Sequence, residues 1–252
     1  MRKLIFVLAI IGFITTASAT VSTANTATIA NATFQDEEAP AQSASFTQEL
    51  KKRFIEGGPG FMGIVLICLI LGLAISIERI IFLNLATTNT KKLTDGVEEA
   101  LSSGGVDAAK EFCRNTKGPV ASIFYQGLDR MDEGVESAEK AVVAYGGVQM
   151  GQLEKNVSWI SLFIALAPML GFMGTVIGMI QAFDKIEAAG DMQPSLVAGG
   201  IKVALLTTVF GLIVAIILQV FYNYIVAKID SIVNDMEDAS ITLIDILVSQ
   251  KK

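Results

Sequence analysis

No histidine occurs anywhere in the 252 residues. That absence removes the commonest metal ligand and general base, and with it every Ser-His or Cys-His catalytic pair. The composition therefore argues against an enzyme, and no cofactor is implied. Only two cysteines are present, Cys68 inside an apolar run and Cys113 in a charged stretch, without Cys-x-x-Cys spacing. Neither a disulfide nor a metal site is indicated. Basic residues are also scarce: 19 Lys and Arg stand against 25 acidic residues, a net charge of −6 with no extended basic stripe. A nucleic-acid partner would have no electrostatic footprint to bind through.

What the chain has in abundance is apolar length. Hydrophobic residues make up 52% of it and the mean hydropathy is +0.56, with charge concentrated between apolar blocks. This is the composition of a polytopic membrane protein. Arg2 and Lys3, the apolar run Leu4 to Ile14 and the small residues Ala17-Ser18-Ala19 have the order of a secretory signal peptide. Residues 1–19 are therefore expected to be cleaved. Residues 20–45, rich in Ala, Thr, Ser and Asn with the acidic Asp36-Glu37-Glu38, are too polar to pack a core and are expected to form a flexible exported tail. Residues 46–60 read as an amphipathic surface helix with Phe46, Leu50 and Phe54 at i, i+4 and i+8, closed by Gly57-Gly58-Pro59-Gly60.

Three spans follow. The first covers 61–83 and contains 17 uncharged residues, Phe61 to Ile77, before Glu78 and Arg79, which are expected to cap it at the head groups. The second covers 158–183, where Trp159 to Phe183 is 25 residues without a charge, and the third covers 195–227. The intervening segment carries nine Lys and Arg between Glu78 and Ser158, whereas the loop 184–194 has only Lys185. The positive-inside rule then puts 84–157 in the cytoplasm, the loop 184–194 in the periplasm, and the chain N-out and C-in. Trp159, Tyr222 and Tyr224 are placed as interfacial aromatics. Glycines at 104–105 and the pair Gly118-Pro119 divide the cytoplasmic segment into short helices. No proline lies between Val135 and Pro168, so one long helix is expected to run from the cytoplasm into the second span. Residues 228–252 read as an amphipathic helix through Ile229, Ile232, Val233, Met236, Ile241 and Ile244. The fold class expected is an all-α membrane protein with three transmembrane helices. The second and third are extended into the cytoplasm, after a signal peptide and a flexible periplasmic segment.

The spans are not built only to sit in lipid. In the second, Gly171, Thr175, Gly178 and Ala182 fall at i, i+4, i+7 and i+11, and Gly174 with Gly178 makes a Gly-x-x-x-Gly pair. In the third, Ala204, Thr208, Gly211, Ala215, Gln219 and Asn223 repeat the pattern. The two stripes suggest a shared interior face that packs around a partner or wets a narrow path. The plainer reading is helix packing, with each threonine hydroxyl bonded back to the i−4 carbonyl.

At these residues a resemblance enters. Ala167-Pro168-Met169-Leu170-Gly171-Phe172-Met173-Gly174-Thr175-Val176-Ile177-Gly178 resembles the second-span signature of the ExbB/TolQ/MotA ion-channel family. Gly200-Ile201, Ala204-Leu205-Leu206, Thr208, Gly211-Leu212 and Tyr222-Asn223 resemble its third span. The resemblance covers roughly Gly60 to Lys228. It implies an inner-membrane subunit, most like ExbB, that forms a homo-oligomeric ring, a pentamer by the same likeness, around an ExbD- or TolR-type single-span protein. That partner's membrane aspartate would carry the ion, and the motion would pass to a TonB-type protein energising outer-membrane transport. Thr175 and Thr208 are then the ion-pathway positions. Gly171, Gly174, Gly178, Ala204, Gly211, Ala215 and Gln219 form the packing and pore face.

One departure stands out: relatives often place an acid in the third span where this chain has Val203, beside Lys202. Spans two and three hold no carboxylate, so this subunit alone cannot carry the proton. Lys202 either snorkels to the periplasmic interface or acts as a periplasmic gate. A TolQ-like role in the envelope, with the same chemistry and different partners, and a non-conducting membrane scaffold are the rival readings. The coupled ion stays open between proton and sodium.

Overall fold

The computed structural model describes residues 46–191 and 194–250. The expected signal peptide and polar tail lie outside the described residues. Helix α1 (Phe46–Glu56) leads through Gly57 and Gly58 into α2 (Pro59–Ala86). Pro59 opens α2 at the position where its missing N–H is no loss. Helix α3 (Thr90–Asn115) starts on Asn89, whose side chain accepts from the Lys92 N–H at 3.2 Å. It breaks direction at Gly105 (φ 72°, ψ −163°), backbone that glycine adopts without a Cβ clash. Helix α4 (Pro119–Asp129), a 3₁₀ turn (Met131–Glu133) and α5 (Val135–Leu153) complete the middle of the chain. Two long helices end it, α6 (Val157–Ala189) and α7 (Pro194–Gln250), the latter 57 residues. The described residues contain no strand.

The expected uninterrupted helix from Val135 into the second span does not form. Asn156 sits in the left-handed region (φ 66°), and α5 and α6 meet there at a break. Asparagine is among the few residues whose short polar side chain makes that backbone accessible, so a chain without proline can still turn. At the other end, α6 runs on as helix through Asp184 to Ala189, into the segment read as a loop.

Two cores hold these helices. The larger joins the end of α2 to α3, α4, α5, the start of α6 and the distal half of α7. Leu83, Phe124, Leu128, Leu153, Ile160 and Leu243 are fully buried in it. Each such side chain contributes about 1.5–3 kcal/mol of transfer free energy. The inward seam of distal α7 is Ile225, Ile229, Ile232, Met236, Ala239, Leu243 and Leu247. Ile241, expected on that seam, is instead 64% exposed, because the steps from Met236 to Ala239 to Leu243 turn it outward.

The smaller core lies among the spans and consists of Val65, Ala167, Val214 and Leu218. Around it the outer faces are apolar and open, with Ile67, Phe172 and Leu205 all more than half exposed. Three helices are long and apolar enough to cross a membrane. In water such surface would far exceed what a soluble monomer tolerates, whereas lipid or a neighbouring chain covers it without cost. The protein is an all-α, multi-pass membrane protein.

Candidate functional site

Helices α6 and α7 touch backbone to backbone. From α6 the buried positions are Ala167, Gly171, Gly174, Gly178 and Ala182; from α7 they are Ala204, Thr207, Gly211, Val214 and Leu218. A Cβ added at Gly211 would lie 2.5 Å from the Ala167 carbonyl oxygen and 3.1 Å from the Gly171 Cα. One at Gly171 would meet the Thr207 oxygen at 3.0 Å and the Thr208 Cα at 3.2 Å. A side chain larger than hydrogen at Gly211 cannot coexist with the contact, and one at Gly171 would require the α7 backbone to give by a few tenths of an ångström. This explains the small-residue stripes: in lipid, helices gain adhesion from close van der Waals approach and not from expelling water.

The hydroxyls divide between the interior and the edge of this seam. Thr207, 1% exposed, donates to its own Ala204 carbonyl at 2.8 Å, and its Oγ1 lies 3.4 Å from the Gly171 carbonyl oxygen. Thr208 is half-buried and reaches across to the Gly171 carbonyl at 3.3 Å. Thr175, also half-buried, donates to the Phe172 carbonyl at 2.6 Å. The back-bonds of Thr175 and Thr207 run to i−3, not to the expected i−4. Each of Thr175 and Thr208 follows a fully packed residue, Gly174 or Thr207, and is rotated from it by about 100°. Both therefore stand on the flank of the seam with oxygen lone pairs still open to accept a further bond.

Thr207 was not singled out from sequence. The expected third-span stripe also splits. Ala204 and Gly211 pack on α6, Ala215 is half-buried, and Gln219 and Asn223 are exposed and bonded to each other, Nε2 to Oδ1, at 3.0 Å. The buried set follows the 3.5-residue seam 204, 207, 211, 214, 218, and the stripe chosen by residue type drifts off it. The single usable signal was the position of Thr207 on that seam.

Two charged clusters frame the spans. At the end near the α6–α7 turn, Lys202 Nζ lies 3.0 Å from Glu56 Oε2, with Arg53 Nη1 3.5 Å from the same oxygen. That oxygen is shielded from solvent and held by cations rather than by an aligned donor. Lys202 holds the Glu56 carboxyl below the usual carboxylate range, and partial desolvation opposes the effect. Lys202 thus ties α7 to α1, an arrangement that the reading of Lys202 as a snorkelling or gating residue did not anticipate. At the opposite end, Glu78 and Arg79 do not simply cap α2 at head groups. Arg79 is 5% exposed, grips Glu78 through Nε at 2.6 Å, and lies 4.6 Å from the Phe82 ring centroid. Its guanidinium is turned into the helical bundle, with Nη1 3.5 Å from the Gln152 carbonyl, because a bidentate carboxylate and an aromatic face satisfy it there. Among the described residues, no three His, Cys, Asp or Glu side chains converge as a metal site would require.

Comparison with known proteins places this seam. Residues 115–238 match the MotA/TolQ/ExbB proton channel family, a stretch that contains α4, α5, all of α6 and most of α7. A putative biopolymer transport protein ExbB homolog of Methanothermobacter thermautotrophicus is 32% identical over 169 residues, 67% of this chain and 60% of that protein. Putative biopolymer transport protein ExbB-like 3 of Synechocystis is 29% identical over 158 residues, 61% of this chain and 74% of its own length. Biopolymer transport protein ExbB of Xanthomonas campestris is 33% identical over 94 residues, 34% of this chain and 37% of the relative. The chain therefore spans only part of these relatives, about three-fifths of the archaeal one and just over a third of the one from Xanthomonas. The matched stretch contains every glycine and threonine of the α6–α7 seam, and residues 115–238 belong to the MotA/TolQ/ExbB proton channel family.

Proposed function

We propose that the chain is the ring-forming inner-membrane subunit of an ExbB-type, proton-motive-force-driven motor. With an ExbD-type single-span partner it would energise TonB-dependent outer-membrane transport. In this reading its N-terminal side faces the periplasm and its C-terminal helix the cytoplasm. The observation that carries the proposal is the α6–α7 seam: two hydroxyls, Thr175 and Thr208, stand half-buried on its flank, and neither 157–183 nor 194–227 contains a carboxylate. A surface with donors, acceptors and no acid of its own suits a partner's membrane aspartate. A hydroxyl can accept from the protonated acid and donate to the ionised one, so both charge states find a bond at the same place. Proton arrival and departure at that aspartate would then shift the partner relative to a wall that does not itself titrate.

The test is Thr175→Val and Thr208→Val, each of which keeps the branched shape and removes the hydroxyl. Energy-dependent uptake should fall to background in both, with the complex still assembled by size-exclusion chromatography. Near-normal uptake in both variants overturns the pathway. Co-purification then separates the branches: a TolR-type partner in place of an ExbD-type one would assign the chain to the envelope system instead.

A further inference from the structure

A groove of about 570 Å³ runs between α1, α2 and α7, outside the α6–α7 seam. Its walls are Leu66 and Leu69 from α2 and Ile213 and Val214 from α7, and α1 contributes Phe54 and, as its one charged group, Lys51. The size is that of a ligand cleft, but the lining offers almost nothing to a polar ligand. Leu66 and Ile213 are more than two-fifths exposed, so the groove opens sideways from the spans. Its position along the spans is within the apolar layer, where water does not fill a cleft. The medium at that depth is hydrocarbon, and the charge at the α1 end selects what the hydrocarbon is attached to.

We infer that this groove holds an acyl chain of an anionic phospholipid, with the headgroup phosphate at the Lys51 ammonium. Helix α1 fits that arrangement. It carries Lys51, Lys52 and Arg53 in succession, and its hold on the spans includes the Glu56–Lys202 ion pair. Arg53 is already engaged with Glu56, whereas Lys51 belongs to the groove itself. The bound lipid would fill the space between α1 and the spans, so α1, the groove and the lipid form one unit at the membrane surface.

The experiment places a tryptophan in the groove wall as Leu66→Trp, in a Trp159→Phe background, in the full chain reconstituted into vesicles. Quenching by brominated phosphatidylglycerol is compared with quenching by brominated phosphatidylcholine. One surface cation is worth roughly fivefold in relative lipid affinity, so phosphatidylglycerol should displace phosphatidylcholine with about that preference. Lys51→Gln, an exposed change, should abolish the preference while leaving quenching by both lipids. Equal affinity for the two lipids in the presence of Lys51 overturns the inference. Absence of quenching by either also overturns it, since the groove is then covered by protein.

Discussion

Replacing Gly211 by alanine adds a single methyl where the backbones of α6 and α7 face each other. The new Cβ would lie 2.5 Å from the Ala167 carbonyl oxygen, whereas ordinary contact begins near 3.4 Å, so the helices must part by roughly 0.9 Å at that level. Backbone atoms cannot rotate away as a flexible side chain would. Separation on this scale forfeits about a quarter to a half of the pairwise dispersion across the contact, and forced overpacking typically costs about 1–3 kcal/mol. Alanine is also the better helix former by about 1 kcal/mol, which would mask part of the loss. Gly199→Ala provides the reference: it lies in the same helix, and a Cβ there meets nothing within 4 Å. Both variants share the propensity gain, so the difference between them isolates the clash. Unfolding of the purified protein in micelles, followed by far-ultraviolet circular dichroism, should show Gly211→Ala about 1–3 kcal/mol less stable than Gly199→Ala. Equal midpoints for the two would refute the claim that this contact is backbone to backbone.

Three further outcomes follow from the charged and thiol groups. Arg79→Ala removes a buried guanidinium and should cost about 1–3 kcal/mol in the same unfolding assay. Arg130→Ala breaks the exposed pair with Glu133 (2.7 Å) and should leave the unfolding midpoint nearly unchanged, since solvent screens such a pair; equal losses would contradict the buried placement of Arg79. Burial pushes the Cys113 thiol up to about 12, so at pH 8 only about one thiol in ten thousand is thiolate. Maleimide should leave Cys113 unlabelled until the protein unfolds, and prompt labelling of the folded protein would contradict the packing. The depressed Glu56 carboxyl stabilises the α1–α7 pairing at and above the ordinary value of 4.5, and the contribution is lost as pH falls through the lower folded value. Spin labels at Lys52 and Gly199 should therefore hold one distance at pH 7 and 5 and spread only in stronger acid. Glu56→Gln should show the spread distribution at every pH, and an unchanged distance in that variant would rule the latch out.

Much of the architecture was legible because lipid leaves the chain few choices. Uncharged length identified the three apolar helices, and the pairs Gly104-Gly105 and Gly118-Pro119 marked real interruptions. The glycines of α6 were legible for the same reason: in a helix at membrane depth, small residues at 171, 174 and 178 leave room for another backbone. What stayed hidden depends on rotation and on distant partners. Thr207 and Thr208 are adjacent and chemically alike, and only the opposing Gly171 and Gly174 decide that Thr207 goes inside. Arg79 reads as a boundary residue until the Gln152 carbonyl and the Phe82 ring are in place beside it. The Asn156 break has no proline or glycine to announce it. The pairing of Glu56 with Lys202 joins residues far apart in sequence that no local periodicity could associate. Thr175 and Thr208 occupy the edge of the seam rather than its centre, a placement that residue type and spacing alone do not distinguish from full burial.

The longest helix has a mechanical meaning. Between Leu212 and Gln250, α7 contains neither glycine nor proline, the residues at which long helices ordinarily bend. From Gly211 to Leu247 this rod extends about 54 Å at 1.5 Å per residue. A pivot of about 5° at the glycine contact becomes a sweep of roughly 5 Å at Leu247 over that length, and Leu247 belongs to the core shared with α3, α4 and α5. Helix α7 therefore runs as one continuous rod from the glycine contact among the apolar helices into the larger core, so that any tilt at that contact would be multiplied along its length before it reached Leu247.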